Sequence, residues 1–91
     1  MTQARRSRNQ VSATLKERGK RYGDFAEVAR IAQNLKDAMK DSPNWDSLTP
    51  AMKESLEVQA NKIGRILNGD PFYADNWHDI AGYAQLVEQT L

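Results

Sequence analysis

The apolar residues of this chain recur at alternating spacings of three and four, the period of a helix that buries one face. Glycine, proline and short polar segments separate three such stretches. The predicted apolar stripes are Phe25, Val28, Ala32, Leu35 and Met39; Met52, Leu56, Ala60, Ile63 and Leu67; and Trp77, Ile80, Ala84, Val87 and Leu91. No stretch shows the strict alternation of a half-buried strand, so the chain is predicted to be all-α.

The helix boundaries follow from local signals. We expect helices over about 25–41, 50–68 and 76–91, after a short N-terminal helix that starts near Val11. Pro50 suits the first helical position, and Gly69 suits the position just past a helix end. The first two long helices would form a hairpin with the third packed beside it. A monomer of 91 residues buries only about 60–70% of its unfolded surface, so we expect oligomerisation to complete the bundle.

Positive charge is concentrated at the N-terminus. Residues 1–22 hold seven basic side chains and one acidic one, net +6, whereas residues 23–91 hold six basic and eleven acidic ones, net −5. We predict a flexible basic arm over 1–10 and a single all-helical domain over 11–91. Such an arm could bind nucleic acid, bind phosphate or contact the acidic part of another subunit. Nucleic acid is not the partner we favour.

The sequence has no cysteine, which excludes a disulfide framework, a thiolate nucleophile and a cysteine zinc site. No apolar run approaches the ~20 residues of a membrane-spanning helix, and the basic N-terminus leads into polar residues, unlike a signal peptide. We therefore expect a cytoplasmic protein without a membrane partner.

Charged side chains lie opposite the apolar stripe of the second long helix. Glu54 and Glu57 are one turn apart, an arrangement of hard oxygen ligands that suits Mg²⁺. Lys62 and Arg65 would then face the phosphates of a substrate, as a point charge and a planar fork. A solvated helix face has the same pattern, so the sequence leaves both interpretations open.

Polar residues also border the apolar stripe of the third long helix. Asn76, Asp79 and Tyr83 follow one another at spacings of three and four. A carboxylate at the edge of a buried stripe needs a partner. Two partners are open for Asp79: a basic residue of the second helix, or a metal ion shared with the glutamates there. Tyr83 could orient that carboxylate or stack on a base, and Gly82 could equally allow close helix approach.

Trp45 lies in the short connection between the first two long helices. We predict that it folds back as a lid over a helix pair, because a large aromatic ring gains by burial. The alternative is an exposed platform on which a base stacks.

Three segments resemble a known group of proteins. They are RYGDF at 21–25, KIGRIL at 62–67 and DNWHDIAGYA at 75–84. Together they look like a group of small phage and prophage proteins, which is similar, more distantly, to the MazG-like all-α nucleotide pyrophosphohydrolases. The likeness covers about residues 16–91.

The resemblance implies a magnesium cofactor and a set of site residues. That superfamily binds Mg²⁺ with an ExxE pair on one helix and an ExxD pair on the next, and cleaves a nucleoside triphosphate between its α and β phosphates. The residues carried over are Glu54, Glu57 and Asp79 for the metal, Glu57 and Asp79 for catalysis, and Lys62, Arg65, Asn76 and Tyr83 for substrate. Asn76 stands where the family has an acid, which weakens the cage for a divalent cation.

We therefore expect a MazG-like nucleotide-binding phage protein, with Mg²⁺-dependent pyrophosphohydrolysis as one activity. Two alternatives stay open. One is a non-catalytic, anti-defence phage protein that sequesters a nucleotide signal of host immunity. The other is a helical module for protein–protein interaction. For a phage protein the expected location is the host cytoplasm.

Overall fold

The computed structural model describes the backbone of residues 2–91 and the side chains of residues 11–17 and 19–91. The helices are α1 (Thr2–Tyr22), α2 (Phe25–Lys40), α3 (Pro50–Asn68) and α4 (Ala74–Glu88), with a 3-10 turn at Trp45–Ser47. Residues 2–91 contain no strand, which confirms the all-α prediction. None of the helices in this described part combines the length and the apolar character needed to cross a membrane.

The helix boundaries match the prediction for α2 and α3 and differ for the other two. Helix α4 begins at Ala74 and ends at Glu88. Helix α1 has 21 residues and begins at Thr2, so it is longer than the short helix predicted to start near Val11. The flexible basic arm was predicted over residues 1–10. Met1 and the side chains of this segment lie outside the described residues. That prediction and the division into an arm and a domain stay untested.

Helix α3 begins and ends as its sequence predicts. The side-chain oxygen of Thr49 accepts a hydrogen bond from the backbone N–H of Met52 at 3.2 Å, and Pro50 takes the first helical position. At the other end, the N–H of Gly69 donates to the carbonyl oxygen of Arg65 at 2.8 Å. Such caps satisfy backbone groups that a helix end leaves without partners.

Helix α3 is central, with α2 packed on one side and α4 on the other. Two polar contacts fix α4 on α3. The Ser55 hydroxyl donates to the carbonyl oxygen of Tyr83 at 2.9 Å, and the Lys62 ammonium bonds the Asp79 carboxylate at 2.8 Å. Helix α1 makes fewer contacts, with α2 and α3. The result is a layer of three helices with α1 against it.

A glycine on α3 brings α2 close. A Cβ atom at Gly64 would lie 2.9 Å from the carbonyl oxygen of Val28 and 3.2 Å from its Cγ1 atom. At Gly82, by contrast, a Cβ atom would meet nothing within 4 Å. The alternative that Gly82 permits a close helix approach is therefore wrong within the described residues; Gly64 has that role.

The core is small, and its fully apolar part comes from α2 and α3. Among the described residues, Val28, Ala32 and Ala60 are the buried hydrophobic ones. Leu35, Met39 and Ile63 of the predicted stripes are half-buried. Phe25 and Leu67, at the ends of their stripes, are 83% and 67% exposed. The stripes are thus buried in their middle and open at their ends.

The predicted stripe of α4 is only half correct. Ile80 and Val87 are half-buried, but Trp77, Ala84 and Leu91 are exposed. The fully buried residue of α4 is Asn76, at 1% exposure. Compared with the prediction, α4 is rotated about its axis so that the edge with Asn76, Asp79 and Tyr83 is turned toward α3. Asp79 and the carbonyl oxygen of Tyr83 both bond α3 from that edge.

Candidate functional site

Two chain corners meet where α1 ends and where α3 ends. The corner after α1 turns at Gly23, whose φ of 82° is a conformation that L-residues with a side chain rarely adopt. The N–H of Asp70 donates to the carbonyl oxygen of Arg21 at 2.7 Å. A Cβ atom at Gly69 would overlap the backbone of Tyr22. The two corners therefore touch backbone to backbone, which brings their side chains together.

Two arginines and two tyrosines form a cluster at these corners. The Arg65 guanidinium lies 4.5 Å from the centre of the Tyr22 ring, and that of Arg21 lies 4.6 Å from the centre of the Tyr73 ring. The two rings meet edge to face, with centroids 5.9 Å apart. Each cation–π contact contributes about 0.5–1 kcal/mol at an exposed site. We call these four residues the arginine–tyrosine cluster.

The two cations of the cluster differ in their carboxylate partners. Arg21 donates from its Nε atom to Glu17 at 3.0 Å, and this hydrogen bond raises the pKa of Arg21 above its ordinary value. The Tyr73 hydroxyl donates to Asp75 at 2.9 Å, which raises the pKa of Tyr73. Among the described side chains, Arg65 forms no salt bridge with a carboxylate. Arg65 is therefore the more available of the two cations for an anion: its carboxylate interaction is a weak one with Asp79, whose pKa is lowered first by Lys62 and last by Arg65.

A cavity of about 570 Å³ lies next to the cluster, between α1, α2 and α3. Its wall is mostly apolar, with Tyr22 and Phe25 among the lining residues. Asp24, Gln33, Asn61 and Arg65 contribute the polar and charged groups, so the wall carries one carboxylate beside the Arg65 guanidinium. Small-molecule sites are typically apolar clefts of ~300–1,000 Å³ with a few placed polar groups. The cavity has the size and the composition of such a site.

The three predicted metal ligands are not gathered. Asp79 is bound to Lys62, the first of the two partners that the sequence left open, and this bond lowers the pKa of Asp79. Glu57 lies 3.5 Å from the Lys40 ammonium, and Glu54 is exposed. Among the described residues, no group of three His, Cys, Asp or Glu side chains could hold a metal ion. A magnesium site here would require Asp79 to leave Lys62.

The four predicted substrate residues lie in two places. Arg65 lines the cavity. Lys62 is turned toward α4 with its side chain only 14% exposed, and Tyr83 is on α4, its carbonyl oxygen bonded by α3. Asn76 is buried, and its Nδ2 atom has no hydrogen-bond partner among the described residues. A ligand in the cavity would reach Arg65 but not the buried Asn76 amide.

The sequence did not indicate Arg21, Tyr22 and Tyr73 as site residues. The first two lie in the RYGDF segment, to which no role was assigned. Tyr73 follows α3 in a turn, far from them in sequence. Helical spacing relates residues within one helix only, so it does not reveal a cluster formed by two corners and α3. The pair of glycines at the corners is the signal that could have suggested it.

Comparison of the chain with protein-family models, with curated proteins and with solved structures gave no significant match. The likeness to the MazG-like proteins therefore stays a prediction from three sequence segments. The structure defines the architectural class of the protein. It is an all-α domain with one layer of three helices, a fourth helix, α1, against that layer, and a cavity between α1 and the layer.

Proposed function

We propose that this protein binds a nucleotide or a nucleotide-derived small molecule in the cavity beside the arginine–tyrosine cluster, and that it does so without cleaving it. The observation that carries the proposal is the Arg65 guanidinium, held over the Tyr22 ring at 4.5 Å and lining a cavity of about 570 Å³. If the protein is of phage origin, as the resemblance implies, such binding would sequester a nucleotide signal of the host.

Each part of a nucleotide has a suitable group in the cavity wall. The planar fork of Arg65 can donate two parallel hydrogen bonds to phosphate oxygens. The amides of Gln33 and Asn61 offer a donor and an acceptor each for the edge of a base. The Phe25 ring, 83% exposed, offers a stacking surface. Apolar residues of α2, Val28 and Ala32 among them, form the wall beside these groups.

Binding without cleavage is favoured over hydrolysis by the arrangement of the acids. A pyrophosphohydrolase of the implied kind needs several carboxylates around Mg²⁺. Here Asp79 and Glu57 each face a lysine, at 2.8 and 3.5 Å. Neither Asp79 nor Glu57 is among the residues that line the cavity. Recognition of a phosphate by a cation and of a base by apolar and amide groups needs no such ion.

Calorimetric titration with nucleoside triphosphates and cyclic nucleotides, with and without Mg²⁺, tests the proposal when pyrophosphate release is followed in parallel. We expect one or more compounds to bind without Mg²⁺ and without pyrophosphate release. Arg65→Ala should weaken binding at least about tenfold, because a charge-assisted contact to phosphate contributes about 1.5–3 kcal/mol. Metal-dependent pyrophosphate release would support the hydrolase instead, and no binding at all would support an interaction module.

Arg30→Ala is the matched control. Arg30 is an exposed arginine of α2 that bonds Glu27 at 3.0 Å and does not line the cavity. Its removal changes the net charge by the same amount as Arg65→Ala. If both variants lose affinity equally, the effect is one of net charge, and the assignment of Arg65 is wrong. Circular dichroism spectra of both variants would confirm that the helices are intact.

A further inference from the structure

The layer of three helices has two sides, and α1 with the cavity occupies only one of them. Arg65 of α3 and Gln33 of α2 mark the cavity side. Residues of an α-helix are separated by about 100° around its axis. Leu56 and Leu67 are therefore roughly opposite Arg65, and Leu35 is roughly opposite Gln33. All three leucines project to the side away from the cavity.

Helix α4 adds apolar residues to the same side. The Lys62–Asp79 salt bridge lies toward the cavity side of the α3–α4 contact, since Lys62 is one turn before Arg65. Trp77 and Ala84 are about 140–160° around α4 from Asp79. They project to the side where Leu67 lies. The exposed half of the predicted α4 stripe therefore continues the surface of α2 and α3.

We call this surface the open apolar face. It consists of Leu35, Leu56, Ile63, Leu67, Trp77 and Ala84. All six residues are uncharged. Leu67 is 67% exposed, Trp77 55% and Leu56 38%. Exposed apolar side chains gathered on one side of a small protein are typical of an interaction site.

The chain exposes more surface than a compact monomer of its mass. The chain has an accessible surface of 6898 Å², whereas a compact monomer of 10.3 kDa has about 5,400 Å². The projecting helix α1 accounts for part of the excess, because its described side chains from Val11 to Lys20 are exposed. A standard dimer interface takes about 800 Å² from each partner. The excess, about 1,500 Å², is larger than one partner's share of such an interface, although α1 contributes to it.

We propose that the open apolar face binds a second copy of this chain, so that two three-helix layers pack together and both cavities point outward. A two-fold axis would place each face on its own equivalent, the commonest arrangement of a homodimer. The packed pair would have the two layers around one core that a single layer of helices lacks. The ligand site of each copy would stay on the opposite side and remain complete within one chain.

Sedimentation equilibrium of two matched variants tests this proposal. Leu67→Glu puts a carboxylate on the open apolar face. Leu86→Glu puts the same charge on α4 at a leucine of similar exposure, 60% against 67%. Leu86 is seven residues after Asp79, on the cavity side of the layer. We expect dimers for the wild type and Leu86→Glu. Leu67→Glu should raise the dimer dissociation constant at least about 100-fold, because it buries an unpaired charge.

A second variant, Ala84→Glu, keeps the test valid if Leu67→Glu fails to fold, because Ala84 is exposed and glutamate is a good helix former. It should dissociate the dimer in the same way. A monomeric wild type at high protein concentration would overturn the proposal. So would a dimer that Leu86→Glu dissociates while Leu67→Glu and Ala84→Glu do not. Neither result bears on nucleotide binding, which depends on Arg65 on the other side.

Discussion

Replacing Gly64 by alanine tests the close contact between α2 and α3. In the interior of an exposed helix, alanine is about 1 kcal/mol more favourable than glycine. At Gly64 the new Cβ atom would lie 2.9 Å from the carbonyl oxygen of Val28, closer than Cβ atoms approach other atoms in real proteins. This oxygen belongs to the backbone of α2 and has no rotamer to change. Helix α2 must therefore shift, and such overpacking costs about 1–3 kcal/mol.

Gly82→Ala is the matched control, because it makes the same substitution in α4 where a Cβ atom meets nothing within 4 Å. It should gain the helix-propensity term and raise the melting temperature by about 4–8 °C per kcal/mol for a domain of this size. Gly64→Ala should be less stable than Gly82→Ala by about 1–3 kcal/mol. Urea and thermal denaturation at one protein concentration would measure this difference. Equal gains for both variants would refute the close contact.

Two further predictions concern the contacts at either end of α3. Lys62 lowers the pKa of Asp79 below its ordinary 3.8, so the salt bridge stabilises the fold above that pH and its contribution is lost as pH falls through the lowered pKa. Asp79→Asn should therefore melt below the wild type at neutral pH, and the gap should close in acid; a gap independent of pH would contradict this. Trp45 is half-buried with the Lys53 ammonium 5.7 Å from its ring. Trp45→Ala should cost about 2 kcal/mol, less than the ~3–5 of full burial, and an unchanged urea midpoint would mean that the ring contributes nothing to the fold.

The sequence was sufficient for the boundaries of α2 and α3 because their signals are local. The period of three and four, Pro50 at the start of α3 and Gly69 after its end each act within a few residues. The rotation of α4 could not be predicted in this way. Its apolar residues form one broad stripe, of which Ile80 faces α3 and Trp77 belongs to the open side. The spacing of apolar residues gives only the average direction of this stripe. It does not show which residues face α3 and which lie on the open side.

The site was harder to predict for a related reason. Of the residues chosen from their spacing, Arg65 lies at the cavity, whereas Lys62 and Asp79 satisfy each other between α3 and α4. An acid and a base at the edge of a stripe can bind an ion, a substrate or each other, and only the distance between the helices decides. The Arg21–Tyr73 contact depends in addition on two chain corners meeting, which no local pattern encodes.

The two sides of the helical layer differ in what they can bind. On one side, Arg65 and Tyr22 combine a cation that forms no salt bridge with a described carboxylate, an aromatic face and a cavity, a set of groups that suits a small charged ligand. On the other side, Leu67 and Trp77 belong to a set of uncharged, exposed side chains that suits another apolar surface. A single layer cannot bury both of its sides. The small core is therefore a consequence of the architecture, and covering the apolar side would stabilise the domain without occupying the cavity.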